Sequence, residues 1–315
     1  MSVKWGFLGA GGIAHSALSG AVHAANNAEL YAVASRDANR SWSLSPKVVF
    51  DSYEDLLNDP EVDAVYISLA NHQHCEWVIR SLEGGKHVLC EKPLGLNAHE
   101  VELMTKTAQA SGKLLVEAVW SRWHPRFRRL VEVVRAGEIG EVTKISTAFT
   151  FEAVIDGNYR ANPQMGGGAL MDVGVYELHA LVGLFGSQPE FELISVERTL
   201  GASGVDLTTK VTGMLAGSCE VELLSSFEQP EFQKLEVLGT HGSVKMLGEA
   251  SFTSWKSVSQ LSVNDREESF DAVDAYQLMV EQVSAKILGE PSWVVPLADS
   301  IRAAQILDQI AAAEC

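Results

Sequence analysis

A short apolar run, Val3–Leu8, passes without a break into Gly9-Ala10-Gly11-Gly12-Ile13-Ala14. A strand that ends in a glycine turn and opens directly into a helix is the start of a βαβ unit, and such units build parallel sheets. Gly9 permits the tight turn, and Gly11 lets backbone approach a pyrophosphate. Ala14 keeps the helix close to the sheet, and the first amides of the helix donate to an anion. Gly9, Gly11, Gly12, Ile13 and Ala14 are therefore the candidate dinucleotide contacts.

Further apolar runs at Leu30–Ala34, Ala64–Leu69, Val88–Cys90 and Leu114–Ala118 alternate with amphipathic stretches such as Cys75–Glu83 and Ala98–Ala110. Near-continuous apolar strands separated by helices predict a parallel sheet covered on both faces. After Trp120 the pattern changes. A helix is predicted over Pro125–Ala136, a strand over Val142–Glu152 and a glycine-led helix over Gly168–Gly186. Five strand candidates follow in succession: Glu192–Thr199, Thr208–Leu215, Ser218–Ser226, Lys234–Gly239 and Ser243–Leu247. Strands without intervening helices predict an antiparallel or mixed sheet. Helices return at Ala272–Leu288 and Leu297–Ala313. The expected fold is α/β, with a dinucleotide-binding Rossmann domain over 1–120 and an α+β domain over 121–315.

With 24 basic against 41 acidic residues the net charge is −17. A field of that sign repels nucleic acid and anionic lipid, which excludes both as expected partners. Cys75, Cys90, Cys219 and Cys315 form no CxxC pair, so neither a metal site nor a disulfide framework is expected. The amino terminus lacks the layout of a signal peptide, and no apolar run approaches the ~18 residues of a membrane helix. These features predict a cytosolic protein in a reducing compartment.

The second strand ends in Ala34-Ser35-Arg36-Asp37. An acidic residue at this point usually binds the ribose 2′-hydroxyl of NAD. Here Ser35 and Arg36 come first, and a guanidinium suits the 2′-phosphate of NADP. NADP is the favoured cofactor, with Asp37 as the residue that would serve NAD.

Four segments together carry a resemblance: GAGGIA after strand 1, Asn71-His72-Gln73-His74, GKHVLCEKP ending at Pro93, and GGGALMDVGVY from Gly166 to Tyr176. In this combination and order the chain resembles the Gfo/Idh/MocA oxidoreductases. The resemblance implies a Rossmann domain followed by a large, open-faced, mostly antiparallel sheet through which members dimerise or tetramerise. It implies that Lys92 stands beside the nicotinamide, with Asn71, His74 and Glu91 in the cofactor's surroundings, and that the 166–186 helix crosses the cleft. Family substrates are mostly sugars, polyols and related cyclic compounds. Inositol dehydrogenase-like members carry Asp-x-x-x-His in this helix. Asp172-Val-Gly-Val-Tyr176 instead resembles the glucose–fructose oxidoreductase and dihydrodiol dehydrogenase branch.

On regular helical spacing, Asp172, Tyr176 and His179 share one face. Moving a hydride at a carbinol carbon requires a proton to move on its oxygen, and a free tyrosine, pKa ~10, is a poor base near neutrality. An adjacent ammonium favours the phenolate. Tyr176 is thus the expected acid/base and Lys92 its electrostatic partner, with Asp172 accepting substrate hydroxyls and balancing Lys92. Trp120, Arg122, Trp123, Arg160 and His179 are the expected substrate-binding residues, two indoles beside an arginine suiting a sugar; Trp123 suits packing at the domain junction, Arg160 a surface role and His179 helix packing equally well. The expected activity is NADP(H)-dependent oxidoreduction of a secondary alcohol, ketone or anomeric carbon. A cofactor-binding regulator and a hydrolase or epimerase using transient oxidation are the alternatives.

Overall fold

In the computed structural model, which describes residues 1–187, 190–248 and 250–313, the chain forms two units. The first comprises Met1–Trp120 and Asp274–Ser300, and the second Ser121–Val273 with the chain from Ile301 onward. Cys315 lies outside the described residues.

The first unit is built on strands β1 (Val3–Leu8), β2 (Ala28–Ala34), β3 (Val48–Phe50), β4 (Ala64–Ile67), β5 (His87–Cys90) and β6 (Leu115–Glu117). They form one sheet in the order β3-β2-β1-β4-β5-β6, every pair parallel. The order reverses beside β1, so the loops leaving β1 and β4 flank the switch point where such sheets take ligands. Helices α1 (Ser19–Ala24), α2 (Ala38–Trp42), α3 (Tyr53–Asn58), α4 (His74–Glu83) and α5 (Ala98–Ser111) connect the strands. The short edge strand β3 and the Ser52-capped α3 were not evident in the sequence, being too brief to establish a period.

The second unit begins with α6 (Pro125–Arg135), which has proline in its first turn, where no amide donor is missed. Strand β7 (Val142–Thr150) leads through a loop to α7 (Val175–Phe185). Seven strands follow: β8 (Phe191–Leu200), β9 (Asp206–Leu215), β10 (Cys219–Ser226), β11 (Phe232–Gly239), β12 (Gly242–Leu247), β13 (Ser259–Val263) and β14 (Arg266–Phe270). The sheet runs β14-β13-β12-β11-β7-β10-β9-β8; β7 and β10 are parallel and the other pairs antiparallel. The β13–β14 hairpin was not anticipated. Its turn is Asn264-Asp265, both at positive φ, and β14 is largely polar and exposed, so no alternating pattern marks it.

Alternation along β7 decides the two faces of this sheet. Thr147 bonds to Glu177 of α7, so the odd-numbered residues face the helices. The even-numbered Lys144 faces away and pairs across the strand with Glu220 (3.1 Å) and Glu222 (2.9 Å).

After β14, α8 (Ala275–Ile287) returns to the first unit, where Trp5 Nε1 donates to Ser284 Oγ (3.1 Å) and Asn27 Nδ2 to the Glu281 carbonyl (2.9 Å). A single cut after residue 120 therefore misplaces 274–300: amphipathicity shows that α8 covers a surface, not which one. The last helix is α9 (Leu297–Ala312). The helical stretch Pro163–Phe185 is long and apolar enough to cross a membrane by composition, contrary to the sequence reading. Its most apolar window is 89% buried within the protein, as befits a core helix.

Lys86, buried just before β5, donates to the carbonyls of Asp59 (2.6 Å) and Val62 (2.8 Å) and so fastens the turn entering β4. Replacing it by methionine keeps the stem but strands both acceptors. Lys86→Met should lower unfolding stability by about 1–3 kcal/mol, measured by urea titration.

Candidate functional site

In the first unit, Gly9 adopts φ +98°, a conformation open to glycine, and its amide bonds to the Ala34 carbonyl (2.9 Å). A Cβ there would lie 3.1 Å from the Ser68 carbonyl oxygen, whereas at Gly12 nothing lies within 4 Å. The helical run over 12–24 starts with a π-turn, Ala14–Leu18, and continues as α1. Its first amides have no acceptor within the helix and stand beside an open glycine surface, which fits a pyrophosphate.

At the end of β2, Asp37 is committed to capping α2, its Oδ1 accepting from the amides of Asn39 (2.9 Å) and Arg40 (3.3 Å). Ser35 Oγ donates to the Asp37 carbonyl (2.8 Å) and lies 2.8 Å from Ser41 Oγ, while Arg36 is exposed. The acid that would hold a bare ribose is thus occupied, and the guanidinium faces outward.

Lys92 is half-buried and its peptide bond to Pro93 is cis. Buried polar groups brace the backbone around it. Tyr66 donates to Glu91 Oε1 (2.6 Å), and Leu94 N donates to Glu117 Oε1 (3.0 Å). The two ring nitrogens of His74 lie 2.8 Å from the Pro93 carbonyl and 3.1 Å from that of Leu69. Burial pushes the Glu91 carboxyl up and the His74 imidazole down. The polar atoms of His74 and Glu91, both expected in the cofactor's surroundings, are engaged by protein and brace the Lys92 turn. Asn71 is buried in the 3₁₀ turn before α4.

In the second unit the decisive element is the helical run over 169–185. It opens with another π-turn, Leu170–Gly174, and continues as α7. A regular i, i+4 spacing is interrupted at such a turn, yet Asp172 and Tyr176 both still act electrostatically on Arg160. Asp172 is held by Arg160, whose Nε donates to Oδ2 (2.7 Å) and Nη2 to Oδ1 (3.2 Å). Tyr176 packs against Phe149 (5.7 Å between ring centroids) and Phe252 (6.2 Å). His179 is buried, its carbonyl accepting from Arg122 Nη1 (3.2 Å). Asp172 is therefore balanced by Arg160 within its own unit, a pairing that twelve residues of separation and an irregular loop hid from the sequence.

The glycine run admits this arrangement. A Cβ on Gly167 would meet the Arg160 carbonyl oxygen at 2.4 Å, and one on Gly168 would meet Asp206 Oδ1 at 2.0 Å. Asp206 in turn accepts from Leu170 N (2.8 Å), capping the helix from a neighbouring strand. Glu177, fully buried, was missed altogether. It accepts from Thr147 Oγ1 (2.6 Å), Ser225 Oγ (2.6 Å) and Leu224 N (3.1 Å), tying α7 to the parallel pair β7–β10.

The residues expected at a sugar-binding rim have protein partners. Trp120 is buried and stacks on Tyr276 (5.5 Å, 29°) in the first unit. In the second unit Trp123 is buried, and Arg122 lies over the Phe127 ring (5.6 Å). Burial and protein partners occupy all three. Arg160, expected to meet substrate, spends its fork on Asp172.

Comparison with known proteins agrees with this architecture. Residues 3–119 match an oxidoreductase family with a NAD-binding Rossmann fold, GFO_IDH_MocA, and residues 127–245 match the GFO/IDH/MocA C-terminal domain. The chain is 32% identical to D-xylose 1-dehydrogenase (NADP(+)) 2 of Haloferax volcanii, over 98% of this chain and 96% of that protein. It is 34% identical to mouse trans-1,2-dihydrobenzene-1,2-diol dehydrogenase, over 78% of this chain and 75% of the relative. Among solved structures it is similar to KijD10, a 3-ketoreductase from Actinomadura kijaniata in complex with NADP and TDP-benzene. The TM-score is 0.89 at 26% identity, covering 99% of this chain and 97% of that one.

Burial raises the Glu177 carboxyl to about 7 from an ordinary value of 4.5, against its three donors. The folded protein then keeps a proton that the unfolded chain releases. The stability this contributes is complete below about 4.5 and is lost as pH rises through about 7, at most ~3 kcal/mol. Glu177→Gln should remove that slope, so its urea midpoint should change less than the parent's between pH 5 and pH 8.

Proposed function

The chain belongs to the Gfo/Idh/MocA family of NAD(P)-dependent oxidoreductases acting on CH–OH groups, and we propose that it uses NADP(H) on a sugar-like or cyclic diol substrate. The cofactor preference rests on Arg36, exposed at the end of β2, beside an Asp37 already committed as a helix cap. The NADP-dependent xylose dehydrogenase and the dihydrodiol dehydrogenase, both relatives over most of the chain, support the substrate class.

In this reading Tyr176 gives or takes the proton on the substrate oxygen, and a bound nicotinamide supplies or accepts the hydride. The observation that supports the residue assignment is the buried Tyr176, set against Phe149 and Phe252 and close enough to Arg160 to act on its charge. In the same reading the charge of Lys92 favours the Tyr176 phenolate and so brings a phenol of ordinary pKa ~10 toward neutrality. The polar braces around Lys92 hold the backbone from which it acts.

Two measurements test the reading. NADPH and NADH titrated by fluorescence should show a preference for NADPH that Arg36→Ala lowers roughly tenfold or more, the loss of one charge-assisted contact. An NADH preference would transfer the ribose contact to Asp37. Turnover of NADP+ with D-xylose, other aldoses and cyclic diols should fall by about 10²-fold or more in Tyr176→Phe and in Lys92→Ala. Turnover unchanged in both would make these residues structural and favour a binding role over catalysis.

The charged face of the second sheet is the surface through which we propose a homodimer or homotetramer forms. Light scattering should give at least twice the chain mass at low salt, and a monomer would refute this.

A further inference from the structure

Arg126, in the first turn of α6, is buried with only 3% of its surface exposed. Among the described residues it has no carboxylate partner. Its guanidinium donates to the carbonyls of Leu247 (3.4 Å), Ala250 (3.1 Å) and Ser251 (3.0 Å) and to Ser254 Oγ (2.6 Å). A buried cation without a counter-ion is costly, and burial lowers this arginine to about 10. All its bonds beyond β12 go to one short segment, 250–254. The buried Gln233 of β11 holds the same segment. Its Oε1 accepts from Phe252 N (2.6 Å) and its Nε2 donates to Thr253 Oγ1 (2.8 Å).

The side chain this segment delivers is Phe252. Its ring stacks on Phe149 at 5.8 Å and 8°, and lies 6.2 Å from the ring of Tyr176 at 40°. Phe149 and Tyr176 also meet, at 5.7 Å and 47°. The three rings are in mutual contact, so the Tyr176 ring has a neighbour on β7, which is part of the sheet, and another on a loop that would be loose without Arg126 and Gln233.

We propose that Arg126 and Phe252 are positioning residues for Tyr176: Arg126 pins the 250–254 segment, and the Phe252 ring it holds fixes the plane of the phenol. The inference rests on the acid/base reading of Tyr176 above. A proton carrier must hold its oxygen in line with the reacting atom, and misplacement by ~1 Å can cost ~10²-fold in rate. An aromatic wall fixes a ring without bonding to its hydroxyl, which leaves that hydroxyl's chemistry unaltered.

The test uses full-length protein labelled with 3-fluorotyrosine. Of six tyrosine resonances, that of Tyr176 is the one lost in Tyr176→Phe. In Phe252→Leu and in Arg126→Met this resonance should shift or broaden while the others hold, which also reports an intact fold. Should Phe252→Leu not fold, Phe252→Met serves the same purpose. With NADP+ and the best substrate of the screen, kcat should fall about tenfold in each variant. The double variant should fall no further than either single, since both act through one segment. An unmoved Tyr176 resonance in either single variant overturns the proposal, as do additive losses in the double. A kcat unaffected by Tyr176→Phe overturns the acid/base reading alone, because the resonance then still reports whether Arg126 and Phe252 hold the ring.

Discussion

A carboxylate on a buried helix must be given donors, and the run over 169–185 carries two. Much of the second unit follows from that requirement. Asp172 takes the fork of Arg160, which demands that the 158–165 loop close on the glycine run, which in turn demands that Gly167 and Gly168 have no side chains. Glu177 takes two hydroxyls and an amide from β7 and β10. Thr147 and Ser225 are polar residues at positions of those strands that alternation alone would fill with valine or leucine, and they are present because the helix brings an acid to them. The helix is thereby fixed to the sheet by directional bonds as well as by apolar packing, and residues between and beyond the two acids, Tyr176 among them, inherit that placement.

The first unit solves a related problem differently. Around Lys92 the polar side chains of Tyr66, His74, Glu91 and Glu117 are directed at backbone or at each other. A tight turn between a strand end and a helix has few backbone partners of its own, and these side chains take their place. The same economy holds at the entry to β4, where Lys86 serves two carbonyls. Polar residues close to Lys92 thus brace its backbone. The glycine turn after β1 is the converse case. Its amides begin a helix, are left without acceptors by helix geometry, and stand beside Gly12, where a Cβ would meet nothing within 4 Å.

What could be read from the sequence follows the same division. The two sheets, nearly all their central strands and the nucleotide turn were legible because each depends on local pattern: apolar runs, alternation, and glycine where φ must be positive. The division into units was legible only in part. α8 announces an apolar face, but nothing in Ala275–Ile287 says that Trp5 and Asn27 wait for it 279 and 254 residues upstream. Residue roles were least legible where they depend on pairing. Arg160 and Asp172 were each singled out, yet as separate substrate ligands, because a loop with two 3₁₀ turns gives no periodicity from which to foresee their meeting. Trp120 and Arg122 were expected near substrate from residue type and from their place after a strand, and neither signal foretells the stacking of Trp120 on Tyr276.

The π-turns sharpen this point. Both helices that matter most begin with one, Ala14–Leu18 after the glycine turn and Leu170–Gly174 around Asp172. A π-turn inserts a residue without changing the apolar character of the helix, so a spacing argument built on 3.6 residues per turn is offset around Asp172. The wider turn suits a helix whose first residues must do more than propagate hydrogen bonds. At Asp172 it lets a buried acid turn toward a loop arginine while Tyr176, four residues on, enters an aromatic pocket. Regular structure is what sequence periodicity encodes, and the Arg160–Asp172 pair sits where regularity is interrupted.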